Sequence, residues 1–133
     1  MTKSEITWID GERFVGTGSS NHSIVIDADR QRNTAPGPME LVLIALCACT
    51  ATDVVSILNK KRERFTSLRV SAEAERAKEP PTVYTSVKLK YTVSGIADKK
   101  AMEDAVRLSK EKYCSVSQMV NKTAEITSVI EYV

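Results

Sequence analysis

The hydrophobic and polar positions change period several times along the chain, and the longest apolar stretch lies near its middle. In APGPMELVLIALCACTATDVVSILNKKRER, from Ala35 to Arg64, no polar side chain falls between Leu41 and Cys49. A helix with one buried face shows polar residues every third or fourth position, so this pattern predicts a central helix that requires cover on every side. Pro38 suits the first helical position, where its missing donor is not needed, and Glu40 in the first turn complements the helix dipole. Lys60, Lys61, Arg62 and Arg64 place cations at the other end, which is read as solvated.

The flanking segments alternate with the period of strands. Glu5 to Ile9 and Arg13 to Thr17 surround Asp10-Gly11 as a hairpin, and Ser23 to Asp27 adds a third short strand. Downstream, Ser67 to Lys78 and Val83 to Ser94 alternate across Glu79-Pro80-Pro81-Thr82 as a long antiparallel pair. Asp98 to Lys112 carries Ala101, Met102, Ala105, Val106, Leu108 and Ser109 at helical spacing against a charged face. Tyr113-Cys114 breaks that pattern; Ser115 to Gln118 has the form of a capping box for a short helix, and Thr123 to Val133 reads as a last strand. The order is strands, long helix, strands, helix, helix, strand. It predicts an α+β fold in one domain, residues 1–133, with antiparallel sheets around a long buried helix.

Composition narrows the partners. One chain of 133 residues is hard pressed to surround so apolar a helix, which implies a second, identical subunit. A net charge of +2, with both signs interspersed, gives no field for nucleic acid. The run Leu41 to Cys49 falls short of the roughly 20 residues a bilayer demands, so no membrane partner is expected. The N-terminus lacks the apolar core of a signal peptide, and the three cysteines do not form a secreted disulfide framework, so a cytoplasmic setting is expected.

The candidate chemistry lies in those thiols. Cys47 and Cys49 are two apart, about 200° around a helix, and cannot converge on one metal. Cys49 shares a face with Ala45, Leu46, Thr52 and Asp53, whereas Cys47 points away and packs. Cys114 precedes a capped helix, whose free N–H groups favour a thiolate. His22, the only histidine, reads as a solvated turn residue, and Asp53 as structural or surface-facing. Two such thiols meet the residue requirement of a peroxidase, in which one becomes a sulfenic acid and the other displaces water to form a disulfide.

At these residues the chain resembles the family named for osmotically inducible protein C and organic hydroperoxide resistance protein (OsmC/Ohr). The resemblance is carried by Gly37-Pro38-Met39-Glu40-Leu41 at the helix start, Ala48-Cys49 in the helix with Thr50-Ala51-Thr52-Asp53-Val54-Val55-Ser56-Ile57-Leu58 after it, and Tyr113-Cys114-Ser115-Val116. It implies an intertwined homodimer with central helices back to back and active sites at the subunit interface. It also implies thiol-dependent reduction of organic hydroperoxides, with Cys49 peroxidatic, Cys114 resolving, a dithiol reductant, and neither metal nor cofactor. The family's active members carry a glutamate directly after the proline, where this chain has Met39. Glu40 comes one residue later, about 100° around the helix. Arg30, then Arg32 and Arg13, are the candidates for the arginine that would stabilise the thiolate. Met39, Leu41, Val42, Leu46 and Met119 are expected to line an apolar pocket. The competing expectation is a non-catalytic dimeric small-molecule-binding or redox-sensing protein that has lost the activating arginine and glutamate pair.

Overall fold

The structure, a computed structural model, describes residues 1–133. Residue contacts group them into two compact units, Met1–Ile44 and Ala45–Val133, with the boundary inside the long helix.

The first unit contains a sheet of three antiparallel strands, β1 (Ser4–Asp10), β2 (Arg13–Gly18) and β3 (Ser23–Asp27), in that spatial order. The hairpin expected around Asp10-Gly11 forms, with Trp8 opposite Phe14, and Gly11 takes a positive φ of 49° that other residues resist. Trp8 Nε1 donates to the Gly11 carbonyl at 2.8 Å, yet the side chain remains 65% exposed. After β3 the chain turns on Asp27, which is inaccessible to solvent. Its carboxylate accepts from Asp29 N at 2.9 Å, Thr34 N at 3.1 Å and Thr34 Oγ1 at 2.5 Å. The loop from Ala28 to Gly37 is therefore folded around one carboxylate.

Helix α1 (Pro38–Lys60) starts at the expected proline. Beyond its last turn Arg62 adopts a φ of 57°, while Glu63 N reaches back to the Leu58 carbonyl. Only Leu46, Thr50, Val54 and Leu58 are buried, one residue per turn along a single stripe. The expectation of burial on all sides is thus not met within one chain: Ile44 is 52% exposed. The helix extends well beyond the run Leu41 to Cys49. Taken whole, α1 has 23 residues and a window of mean hydropathy 2.3, long and apolar enough to cross a membrane by length and composition.

The second unit holds the sheet β4 (Ser67–Arg76), β5 (Tyr84–Ser94) and β6 (Glu125–Tyr132), with β5 in the middle. From Val87 on, alternation is clean: Val87, Leu89, Tyr91 and Val93 of β5 face inward, as do Leu68, Val70, Ala72 and Ala74 of β4 opposite them, while buried Tyr84 lies past a register shift. The sheet is not wholly antiparallel, however, because β6 runs parallel to β5, pairing Val87 with Ile126 and Tyr91 with Ile130. A parallel neighbour requires a crossover, and the helical segment between the two strands supplies it. That segment comprises α2 (Lys99–Leu108), a single wide π turn (Ser109–Tyr113) and α3 (Ser115–Val120). Asp98 caps α2 by accepting from Lys100 N and Ala101 N. Ala101, Met102, Ala105 and Val106 are its buried face.

The three donors on Asp27, with the Thr34 hydroxyl foremost, hold its carboxyl down at about 2 against an ordinary value of 3.8. A folded-state value below the unfolded one stabilises the native chain above about pH 4, and that contribution disappears as pH falls toward 2. Urea midpoints measured from about pH 6 to pH 2.5 should therefore fall with acid in the native protein. They should fall less steeply in Asp27→Asn, which starts from a lower stability.

Candidate thiol site

Each functional side chain in the second unit is placed by a local irregularity or by helical spacing. Cys49 and Asp53 lie one turn apart on α1, on one side of the helix, and both are half-buried. Cys114 is fully buried. It sits where the π turn ends, its N–H donating to the Ser109 carbonyl at 2.8 Å across the five-residue span. That extra residue in the turn advances Cys114 relative to a regular helix, and such turns recur at functional sites.

Cys114 is itself the N-cap of α3, which corrects the expected Ser115 cap. Its Sγ accepts from Ser117 N at 3.4 Å, and Ser117 Oγ donates to the Cys114 carbonyl at 2.9 Å. A thiol thus takes the place that serine or aspartate usually fills.

The consequence is convergence. Cys49 Sγ, Cys114 Sγ and one carboxylate oxygen of Asp53 lie within 4.8 Å of one another. Burial pushes the Cys114 thiol up, and the contact with Cys49 adds to that, while the two hydrogen bonds to Ser117 oppose it. Cys47 is separate; burial pushes its thiol up as well, which keeps it in the protonated form. All three cysteines are free. The three converging donors are of the types that hold transition metals, one fewer than the closed set of four in a structural zinc centre.

A chain of buried hydroxyls supports this cluster. Ser109 Oγ donates to Asp53 Oδ2 at 2.8 Å, Thr50 Oγ1 lies 2.8 Å from Ser109 Oγ, and Tyr91 OH lies 2.6 Å from Thr50 Oγ1. Because the single Ser109 proton goes to the carboxylate, Thr50 must donate to Ser109 and Tyr91 to Thr50. Tyr91, Thr50 and Ser109 are each almost wholly buried, and burial pushes the Tyr91 phenol up, so it stays a donor. These three residues were not among the sequence candidates. A hydroxyl at Thr50 inside an apolar helix, one position after Cys49, was the available signal.

Beside Asp53 lies a cavity of about 280 Å³, bordered by Ile57, Lys60, Lys61, Leu108 and Tyr113. Of the residues expected to line an apolar pocket, Leu46 belongs to the core and Met119 is exposed. His22 is exposed, as expected.

The remaining candidates belong to the first unit. Arg30 and Glu40 form an ion pair, Arg30 NH1 contacting Glu40 Oε1. The other guanidinium nitrogen donates to the carbonyls of Asp27 and Ala35, and the group packs against Gly37. Arg32 is engaged with Asp10 at 2.8 Å, and Arg13 lies 3.8 Å from the same carboxylate.

A family model described as OsmC-like protein matches residues 31–129. The chain belongs to the OsmC-like family. Protein YhfA of Escherichia coli strain K12 is 40% identical over 132 residues, which is 98% of each chain. Among solved OsmC-like neighbours and other similar structures, a hypothetical protein from Aquifex aeolicus VF5 is 29% identical, with a TM-score of 0.85 over 100% of this chain and 98% of that one. The organic hydroperoxide resistance protein OhrB of Bacillus subtilis shares the fold at 13% identity, with a TM-score of 0.69 over 98% of each chain. The two-sheet α+β architecture is thus that of the OsmC-like fold.

The hydroxyl chain should act as a unit. Ser109→Ala and Tyr91→Phe are each expected to destabilise the chain by about 1–3 kcal/mol, the cost of losing a buried hydrogen bond. The double variant should lose less than the sum, as a coupled network requires; additive losses in urea denaturation would contradict this account.

Proposed function

We propose that this OsmC-like chain is a thiol-dependent peroxidase that reduces organic hydroperoxides in a reducing, cytoplasmic setting. The observation that carries this reading is the approach of the Cys49 and Cys114 sulfurs to within 4.8 Å. In the first step the Cys49 thiolate attacks the O–O bond of a hydroperoxide. An S–O bond forms, the O–O bond breaks, and the alkoxide leaves and is protonated to the alcohol; Cys49 becomes a sulfenic acid. Cys114 then attacks the Cys49 sulfur, an S–S bond replaces the S–O bond, and water departs. A dithiol reductant returns both thiols by exchange. Cys49, half-buried where Cys114 is fully buried, is the thiol a peroxide reaches first. The apolar Ile57, Leu108 and Tyr113 beside the site favour an organic peroxide. The ion pair of Arg30 and Glu40 keeps the residue types of an activating pair, and it is assigned that role in the same proposal.

The exposed apolar side of α1 is assigned to a second copy of the chain. Ile44 on the helix and Ile6, Trp8 and Ile24 on the first sheet are large apolar groups left open. A bilayer is a poorer cover, because Glu40 and Asp53 would enter hydrocarbon with the helix.

Reduced protein treated with one equivalent of tert-butyl hydroperoxide should yield a Cys49–Cys114 disulfide on peptide mapping, whereas Cys114→Ser should accumulate a trappable sulfenic acid on Cys49. Turnover with a dithiol should be about tenfold or more slower with hydrogen peroxide, and Arg30→Met should slow the first step. Unmodified thiols with intact peroxide would leave the non-catalytic reading in its place. Light scattering should give twice the 14.7 kDa chain mass, and Ile44→Lys should shift it toward one chain.

A further inference from the structure

Asp53 is a carboxylate placed beside two sulfurs, and the reaction above gives it no role. The resolving step has a proton to move. Cys114 must lose its proton to form the S–S bond, and the hydroxyl leaving Cys49 must gain one to depart as water. Burial keeps Cys114 in the thiol form, so its own ionisation supplies little nucleophile near neutral pH. A base beside the sulfur at the moment of attack removes that limit.

One carboxylate oxygen of Asp53 lies within 4.8 Å of both sulfurs. That separation is closed by a side-chain rotation or by one bridging water. The other requirement is a fixed carboxylate, and Ser109, backed by Thr50 and Tyr91, holds Oδ2 from the protein interior. We propose that Asp53 carries the proton from the Cys114 sulfur to the hydroxyl leaving Cys49. The step rests on the peroxidase reading and balances without any added reagent. Asp53 takes the proton as the S–S bond forms, and releases it to the departing oxygen as the S–O bond breaks; Cys114 is oxidised, Cys49 reduced, and one water is produced. A carboxylate is a weak base toward a thiol, but the final acceptor is a nascent hydroxide, so Asp53 holds the proton only in transit. The cavity beside it gives the water a way out.

Titratable and charged groups face Asp53 from several elements. They are Cys49 and Lys60 on its own helix, Lys61 just beyond the end of that helix, Cys114 and Tyr113 on the segment after α2, and Tyr91 through the hydroxyl chain from β5.

The test separates the two chemical steps in the full-length, fully reduced protein in chelator-treated buffer. Samples are quenched at intervals after mixing with one equivalent of tert-butyl hydroperoxide, and sulfenic acid and disulfide are read by mass. In Asp53→Asn, Cys49 oxidation should not slow, because removing a negative charge beside Cys49 favours its thiolate, while disulfide formation slows by about 10²-fold, the usual size of a general-base contribution. The deficit should shrink as pH rises and Cys114 ionises unaided, and Asp53→Glu should recover part of the rate. The native protein gives a reading that needs no variant: its disulfide step should be nearly flat through neutral pH. A native rate that climbs tenfold per pH unit there, or an Asp53→Asn deficit equal at every pH, would overturn the relay alone. If native Cys49 is not oxidised at all, the peroxidase reading falls and the relay with it.

Discussion

Everything in the second unit that bears on chemistry depends on one constraint: a polar chain must be satisfied inside an apolar core. Tyr91 stands on the central strand β5, Thr50 on α1, and Ser109 at the start of the π turn, so their hydrogen bonds tie three elements together at one point. Each of these hydroxyls is almost wholly buried, where an unmade hydrogen bond is far more expensive than a made one is favourable. The packing of strand, helix and turn is therefore specified by direction and not only by volume. The chain ends on Asp53, beside both sulfurs, so the same bonds that define the core also define the site.

The placement of Cys114 follows from the π turn in the same way. Its N–H bonds five residues back to Ser109, which fixes thiol and hydroxyl as the two ends of one turn. The thiol then caps α3 and shares its electrons with the Ser117 N–H. Core packing, backbone irregularity and thiol chemistry are thus consequences of a short sequence, Ser109 to Ser117.

Much of this was legible in the residues. The alternation of Leu68, Val70, Ala72 and Ala74 against Val87, Leu89, Tyr91 and Val93 is local and survives as the observed β4–β5 register. The start of α1 at Pro38 was legible because proline and the first-turn acid act within one turn. The parallel pairing of β6 was not, since periodicity reports which face a strand buries and not the direction in which it runs. Cys49 and Cys114 could be named as thiols of interest, but their meeting depends on a π turn that leaves no mark in hydropathy. Asp53 was read as structural or surface-facing because a helical face shows its own neighbours and not what a remote segment brings to it. The open side of α1 accords with the demand for cover read from its apolar composition, which one chain does not meet.

The exposed half of α1 also bears on how the chain reaches this state during synthesis. The helix ends at Lys60, while β6, the last strand of the sheet in its unit, ends at Tyr132. An emerging polypeptide therefore holds a long, strongly apolar segment for more than half of its own translation before the strands and helices that shelter Leu46, Val54 and Leu58 exist. Such segments invite association with whatever apolar surface is nearest.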